Sequence, residues 1–420
     1  MLSEFEKNLE KYAELIVEVG LNLQPGQRLL IGAPGPPIYG TPIELLPLIR
    51  LITAKAYQIG ARFVDVMWED EQLHHIRFQH AIQDSFEEFP SWRSDEAIKI
   101  AKAGDAIIMI ASENPNLLNG HDTKRTSKFL DACWKYYKPL MDLRHKKMMN
   151  CTLITPALDR WADKILPDIP QNERKEKLWD IIFNICRVKR KDPVSAWREH
   201  INQLVARSNY LNQKQYIALK FVAPGTDLTI GLPLGHIWQS AHVTTQNGIN
   251  FLANFPSEEI FTTPHKDKVD GIVRATKPRA AEVTIEDFSL TFSEGRVIKA
   301  TAKKGEEILH EKLKKDVGAN RLGEIALVSH SSPISQSGLI FYNVILDENA
   351  SCHLALGQCL RFCIKDGEKM SDDELLTVGG NISGIHVDFM IGSGEMKVDG
   401  VLEDGRVEPI MRKGEWVFSV

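Results

Sequence analysis

No two of the six cysteines in this 420-residue chain form a CxxC pair. That absence excludes the redox dithiol motif and the tight thiolate knuckle of a structural zinc site. Cys133, Cys151, Cys186, Cys352, Cys359 and Cys363 therefore read as reduced core thiols. No stretch approaches the roughly 20 consecutive apolar residues that a membrane-spanning helix needs. The opening "MLSEFEKNLEKYAELIVEVG" mixes charged and apolar residues at helical spacing and has no apolar h-region, so a cytoplasmic chain is expected. Positive charge is not in excess either. The 51 Lys and Arg are outnumbered by 56 Asp and Glu, the net charge is −5 and the pI about 6.3, which leaves no footprint for nucleic acid. "VKRKD" (188–192) is too short to alter that and reads as a solvated helix end.

Several catalytic signatures are also missing. "IGAPGPPIYG" (31–40) has no GK[ST] ending, and its prolines cannot donate the N–H groups of a phosphate cradle, so a solvent loop is expected. "SHSSPISQSG" (329–338) offers serines and His330 without a G-x-S-x-G elbow, and reads as a turn. "EQLHHIRFQH" (71–80) is not HExxH, and its His74 and His75 read as surface residues of a polar helix. No repeat recurs at a fixed period.

What is present is an ordinary globular balance, 43% hydrophobic and 25% charged, long enough for two or three domains. In the first half, helix and strand patterns alternate. "SEFEKNLEKYAELIVEVGLNL" is an amphipathic helix with a Ser3–Glu6 capping box, "QRLLIGAP" a short strand, "TPIELLPLIRLITAKAYQIGA" a helix closing at Gly60, "RFVDVMWED" a strand, and "DEAIKIAKAGDAIIMIASENP" helix, Gly104 and strand again. That alternation predicts a largely parallel α/β layer. Two helices follow, "NERKEKLWDIIFNICRV" and "VSAWREHINQLVARSNYLNQ". From about residue 215 strands dominate, among them "YIALKFVAPGTDLTIGLP", "VTIEDFSLTFSEGRVIKATAKKG", "LGEIALVSH" and "GLIFYNVILDENAS". The expected architecture is an α/β N-terminal domain over 1–200 and a β-rich α+β C-terminal domain over 201–420.

In the second half, polar residues recur where the pattern calls for apolar ones. In "SGIHVDFMIGS" (383–393), His386 and Asp388 are two apart, so on a strand they project side by side from one face. Burying that carboxylate requires a partner residue or a cation. Glu324 precedes the apolar run Ile325–Val328. Asp347, Glu348 and His353 interrupt "VILDENASCHLALG", and Glu258 and Glu259 follow the Pro-Ser turn of "NFPSEEIFTTP". Two imidazoles with several carboxylates suit a hydrolytic site for two divalent ions. Buried ion pairs or helix caps account for each residue singly, and spacing alone does not choose.

"NFPSEEIFTTPHKDKVDG", "RLGEIALV", "LDENASCHLALGQ", "GGNISGIHVDFMIGS" and "VDGVLEDGRVEPIMRKGEWV" resemble the signature blocks of the aminopeptidase T / aminopeptidase S family of metallopeptidases. The likeness extends through "NLEKYAELIVEVGLNLQPGQ", "DPVSAWREHINQL" and "PGTDLTIGLPLGHIWQ", and so covers essentially the whole chain in order. It implies a cytoplasmic, homodimeric exopeptidase. Such an enzyme removes N-terminal residues from short peptides through a hydroxide activated by two divalent ions (Zn, Co, Mn or Mg) in the C-terminal domain. The family's metal pattern falls on Glu259, Glu324, His353, His386 and Asp388, with Glu259 preferred to Glu258 by its E-[VI]-F register and with Glu259 or Glu324 as proton shuttle. Where the family pattern H-x-A-x-G-Q-x-Y carries tyrosine, this chain has Leu360. A phenol there can donate to an oxyanion and leucine cannot. The departure implies a slowed enzyme, unless another hydroxyl such as that of Tyr342 substitutes. The alternatives are an impaired homologue that binds peptides, or a two-metal amide hydrolase of other specificity.

Overall fold

The computed structural model describes all residues except 1, 34–39, 113, 115–116, 241 and 279–283; most of the glycine-proline run 31–40 therefore lies outside the described residues. The chain divides into two compact units, residues 1–199 with 242–256, and residues 200–241 with 257–420.

The first unit is built on five parallel strands. In order across the sheet they are Asn254–Phe255, β4 (Cys151–Ile154), β3 (Ala106–Ile110), β1 (Arg28–Ile31) and β2 (Phe63–Val66). The central strands read as short apolar runs because helices cover both faces of a parallel sheet. α1 (Glu4–Leu15) starts at the expected box, with Ser3 and Glu6 each bonding the other's backbone N–H. α2 (Leu46–Ile59) stops where Gly60 turns left-handed (φ 105°), a conformation that glycine adopts without steric cost. α3 (Glu71–His80), α4 (Ser91–Lys102), α5 (Thr123–His145) and α6 (Gln171–Ile185) follow. The 23-residue α5 and the strand β4 were not read from the sequence, and neither was the return of Asn254–Phe255 to this sheet. A two-residue strand carries no periodicity.

α7 (Pro193–Lys214) leads into the second unit. There an eight-stranded antiparallel sheet and a five-stranded one share a single apolar core. The smaller sheet positions the site. Its order is β9 (His386–Met390), β8 (His353–Gly357), β7 (Leu322–Leu327), β6 (Ile260–Thr262) and β5 (Gln239–Ser240), all antiparallel. One face packs Ile260, Ile325, Leu327, Leu354, Leu356, Val387 and Phe389 into the shared core. A mixed helical and sheet-rich architecture is what the sequence predicts. One expected strand is not formed: within "GLIFYNVILDENAS", residues Val344–Glu348 make a short helix, α8. Asn343 caps it at Leu346 N, and the buried Asp347 carboxylate accepts the N–H groups of Phe341 (2.7 Å) and Asn343 (3.1 Å), folding the segment back on itself.

Candidate metal centre

The second face of the β6–β9 sheet carries the polar residues. In an antiparallel sheet, directly paired residues share a face and alternate residues along a strand do too. Pairing Ala326 with His353, Glu324 with Ala355, and Ala355 with Asp388 therefore lines Glu324, His353, His386 and Asp388 on one surface. Glu259 enters from the residue before β6. Ala326 and Ala355 keep the surface between the donors low.

Plain alternation would not place Glu324 there, because Leu322, two residues earlier, is buried in the core. The strand is bulged at this point. Leu322 pairs with Leu356 and Glu324 with Ala355, leaving Gly323 as the extra residue. The bulge lets Leu322 face the core and Glu324 the opposite side. Only glycine fits, since a Cβ at 323 would lie 2.2 Å from Gln358 O and 2.5 Å from Gly357 O.

The donor atoms gather into two triads, Glu259–Glu324–His353 and Glu324–His386–Asp388, each with ligand atoms within 4.8 Å of one another and both containing Glu324. His353 Nε2 lies 3.4 Å from Glu259 Oε2; His386 Nε2 lies 3.0 Å from Glu324 Oε2 and 3.2 Å from Asp388 Oδ1. His386 is the most open of the five, with 32% of its side chain in solvent.

Second contacts fix the imidazoles. His353 Nδ1 is 3.2 Å from Ser351 O and His386 Nδ1 is 2.9 Å from Gln358 O. A carbonyl only accepts, so each Nδ1 carries the proton and the neutral ring turns the lone pair of Nε2 toward the carboxylates. Two lone-pair bearers facing each other need a positive centre between them. A proton serves in the metal-free protein. Burial alone would lower His386, but Asp388 and Glu324 raise it to about 12. Burial likewise opposes the charge on His353, and Glu259, Glu324 and Asp388 overcome it. Burial drives Glu259 up to about 7; His353 opposes the rise, and Glu324 and Asp388 add to it. Glu259 Oε2 is buried and accepts no hydrogen bond from the described residues. A buried carboxylate oxygen without a donor, beside imidazoles tied for Nε2 ligation, fits a divalent cation.

The other sequence candidates divide cleanly. Glu258 turns to His200, whose Nε2 is 3.3 Å from its Oε2, and its backbone N–H donates to Asn349 Oδ1 at 2.7 Å. Asp347 is spent on backbone N–H groups. Glu348, noted in the sequence but given no role, has its carboxyl pushed well above the ordinary range by burial and by Glu259, Asp388 and Glu324. Leu360 exchanges two 3.0 Å hydrogen bonds with the Thr263 hydroxyl through its backbone N–H and C=O. All six cysteines are buried thiols. His74 corrects the expectation of a surface residue. It is buried, with Nε2 3.2 Å from Glu69 Oε1 and its ring edge-on to Phe129. His75 lies 3.1 Å from His121, ring nitrogen to ring nitrogen. The segment 329–338 is a turn around a short helix, Pro333–Gln336, capped by Ser332.

Residues 5–416 match the profile of the family described as "Thermophilic metalloprotease (M29)". The chain is 44% identical to Aminopeptidase 2 of Geobacillus stearothermophilus, covering 100% of both. It is 42% identical to Aminopeptidase AmpS of Bacillus subtilis, covering 99% of this chain and 100% of that one. The solved structure of wild-type AmpT from Thermus thermophilus superposes with a TM-score of 0.91 at 37% identity, covering 99% of this chain and 100% of that one.

Proposed function

The chain belongs to the thermophilic metalloprotease family (M29) and is a peptidase; from that premise we propose that it is a dinuclear metallo-aminopeptidase acting on short peptides with a free N-terminus. The observation that carries the reading is the pair of triads joined at Glu324. Glu259, Glu324 and His353 would hold one divalent ion, and Glu324, His386 and Asp388 the other. The mixed oxygen and nitrogen donors suit Zn, Co, Mn or Mg. Such ions supply Lewis acidity, lowering the pKa of water toward neutrality and polarising a carbonyl.

The remaining work falls to this chain. Gly323 sets Glu324 on the site face. Ser351 O and Gln358 O hold the imidazoles in the tautomer that offers Nε2. Proton transfer from the attacking water to the leaving amine falls to Glu259 or Glu324. No helix among the described residues is long and apolar enough to cross a membrane. A cytoplasmic homodimer with no nucleic-acid or membrane partner completes the proposal.

The test couples metal analysis with turnover of leucyl-p-nitroanilide and of its N-acetylated analogue. Two ions per chain, turnover of the free amine and none of the blocked substrate are expected. An active protein with no bound metal, or equal turnover of both substrates, would end this reading.

A further inference from the structure

We propose that His75 and His121, in the first unit, hold a further, exchangeable transition-metal ion; the inference is independent of the centre on the five-stranded sheet. The two imidazoles meet at 3.1 Å, His75 Nδ1 to His121 Nε2, and both residues are half-buried, so neither is sealed from solvent. Their meeting is built on α3. His75 and Phe78 are three residues apart and share one face of that helix. The His121 ring lies flat on Phe78, with centroids 4.5 Å apart and planes at 17°. Arg125 Nη1, at the start of α5, donates to Phe78 O at 2.8 Å and ties the segment that carries His121 to the end of α3. The facing nitrogens are thus held from both sides.

Two facing neutral imidazoles share one proton, one nitrogen donating and the other accepting. An ion takes the place of that proton once the donor ring carries it on its other nitrogen; no proton leaves, and both lone pairs point inward. Imidazole nitrogens on one tetrahedral ion, each at roughly 2.0–2.1 Å, stand about 3.3 Å apart. The 3.1 Å separation needs little adjustment. Burial, and after it His75, lower His121, which keeps its ring neutral and able to ligate at neutral pH.

The surroundings favour a cation. His75 lines a cavity of about 280 Å³ with Gln72, Asn114, Arg160 and Asp163, which leaves room for the waters that complete the coordination. A neighbouring cavity of about 390 Å³ shares four of those residues and adds the carboxylates of Glu44, Glu69, Asp70, Glu71 and Asp159. Arg160 lies 3.9 Å from Glu71, and Arg93, Arg174 and Lys175 pair with Glu69, Asp163 and Asp159. Carboxylates remain in excess, and the field is negative. Both cavities are lined by segments that follow β2, β3 and β4, the end at which open α/β sheets bind their ligands. Two imidazole donors suit Zn, Cu or Ni rather than Mg or Ca, and leave the ion partly hydrated and exchangeable.

The experiment dialyses the full-length protein first against metal-free buffer and then against rising Zn²⁺, counting bound ions at each step. Wild type is compared with His75→Gln, His121→Ala and, as a control, His80→Ala, an exposed histidine of the same helix. Wild type is expected to gain one ion per chain over the rising series. His75→Gln and His121→Ala should weaken that step at least ~10-fold, and His80→Ala should leave it in place. Glutamine keeps a hydrogen-bonding group at position 75, so that variant still reads ligation if loss of the ring from Phe78 unfolds the His121 variant. A wild type that gains no ion would make the pair a hydrogen bond only. Variants at 75 and 121 that gain the ion as wild type does would place it elsewhere; either result overturns the inference. Ions retained after the first dialysis, and their loss in His353→Ala, report on the centre of the second unit, so the two readings fail separately.

Discussion

Each unit of this protein buries a histidine against a glutamate, and the two pairs are alike until one asks where the positive charge comes from. In the first unit His74 Nε2 is 3.2 Å from Glu69 Oε1; in the second His353 Nε2 is 3.4 Å from Glu259 Oε2. Glu69 also takes Arg93 Nη1 at 2.5 Å. Burial would raise Glu69, but His74 and Arg93 bring it below its ordinary value. Its charge is closed by the chain itself. For Glu259, burial raises the carboxyl to about 7, with His353 opposing the rise and Glu324 and Asp388 adding to it. A buried carboxylate balanced internally is architecture, while one left for an external cation is a binding site. On the proposed reading the same residue types carry opposite meanings, and what separates them is that Arg93 lies on Glu69 while the groups acting most strongly on Glu259 are His353, Glu324 and Asp388.

The comparison breaks first at the histidines. His353→Ala should lower metal affinity by more than ~100-fold, beyond the loss expected for a supporting hydrogen bond, and abolish turnover while circular dichroism stays native. His74→Ala should leave metal content and kcat untouched. Equal metal content in both variants would erase the distinction. Next, Arg93→Met strands the Glu69 carboxylate and should cost about 1–3 kcal/mol in urea unfolding, with metal stoichiometry unchanged.

pH sharpens it further. In the metal-free protein the fold favours protonated Glu259, at about 7 against the ordinary 4.5. That contribution is full below pH 4.5 and is lost as pH rises to about 7. Protonated His386, raised from 6.5 to about 12, gives a loss of the same sign across higher pH. Chelator-treated protein should therefore melt at lower temperature as pH goes from 4.5 to 7, and Glu259→Gln should flatten that slope. Metal-loaded protein should show the reverse trend, because protons compete with the ion for the same donors. The smallest effect concerns Leu360. If the position lacks an oxyanion donor, Leu360→Tyr should raise kcat by about tenfold, short of the 10²–10³ measured for removing an evolved donor. A wild type already fast, with no gain in the variant, excludes that role.

How much of this was legible beforehand depended on distance along the chain. His386 and Asp388 could be placed side by side because strand periodicity is local. The parallel first sheet was visible in alternating helix and strand signals, as was the capping box at Ser3. Glu324 could not be assigned a face by counting, since the bulge at Gly323 depends on the strand beside it. The choice between Glu259 and Glu258 is made by His200 and Asn349, which lie 58 and 91 residues away from Glu258 (258 − 200 and 349 − 258). His74 was misplaced for the same reason. Its helix has little amphipathic pattern, and its burial is decided by Glu69 and by Phe129 on α5. Glu348 stood in plain view, but nothing in "VILDENAS" says that the segment coils into a helix packed on β9.

The extra residue in β7 has a consequence for heredity. Upstream of it the strand's odd and even positions serve one division of labour, and downstream the opposite one. A deletion at 323 would exchange the face that carries Glu324 for the apolar one along the rest of the strand at a stroke. Substitutions can explore every neighbour one at a time, but this position offers no gradual path. Descendants of this chain should therefore vary freely in the loops around β7 while keeping its residue count intact.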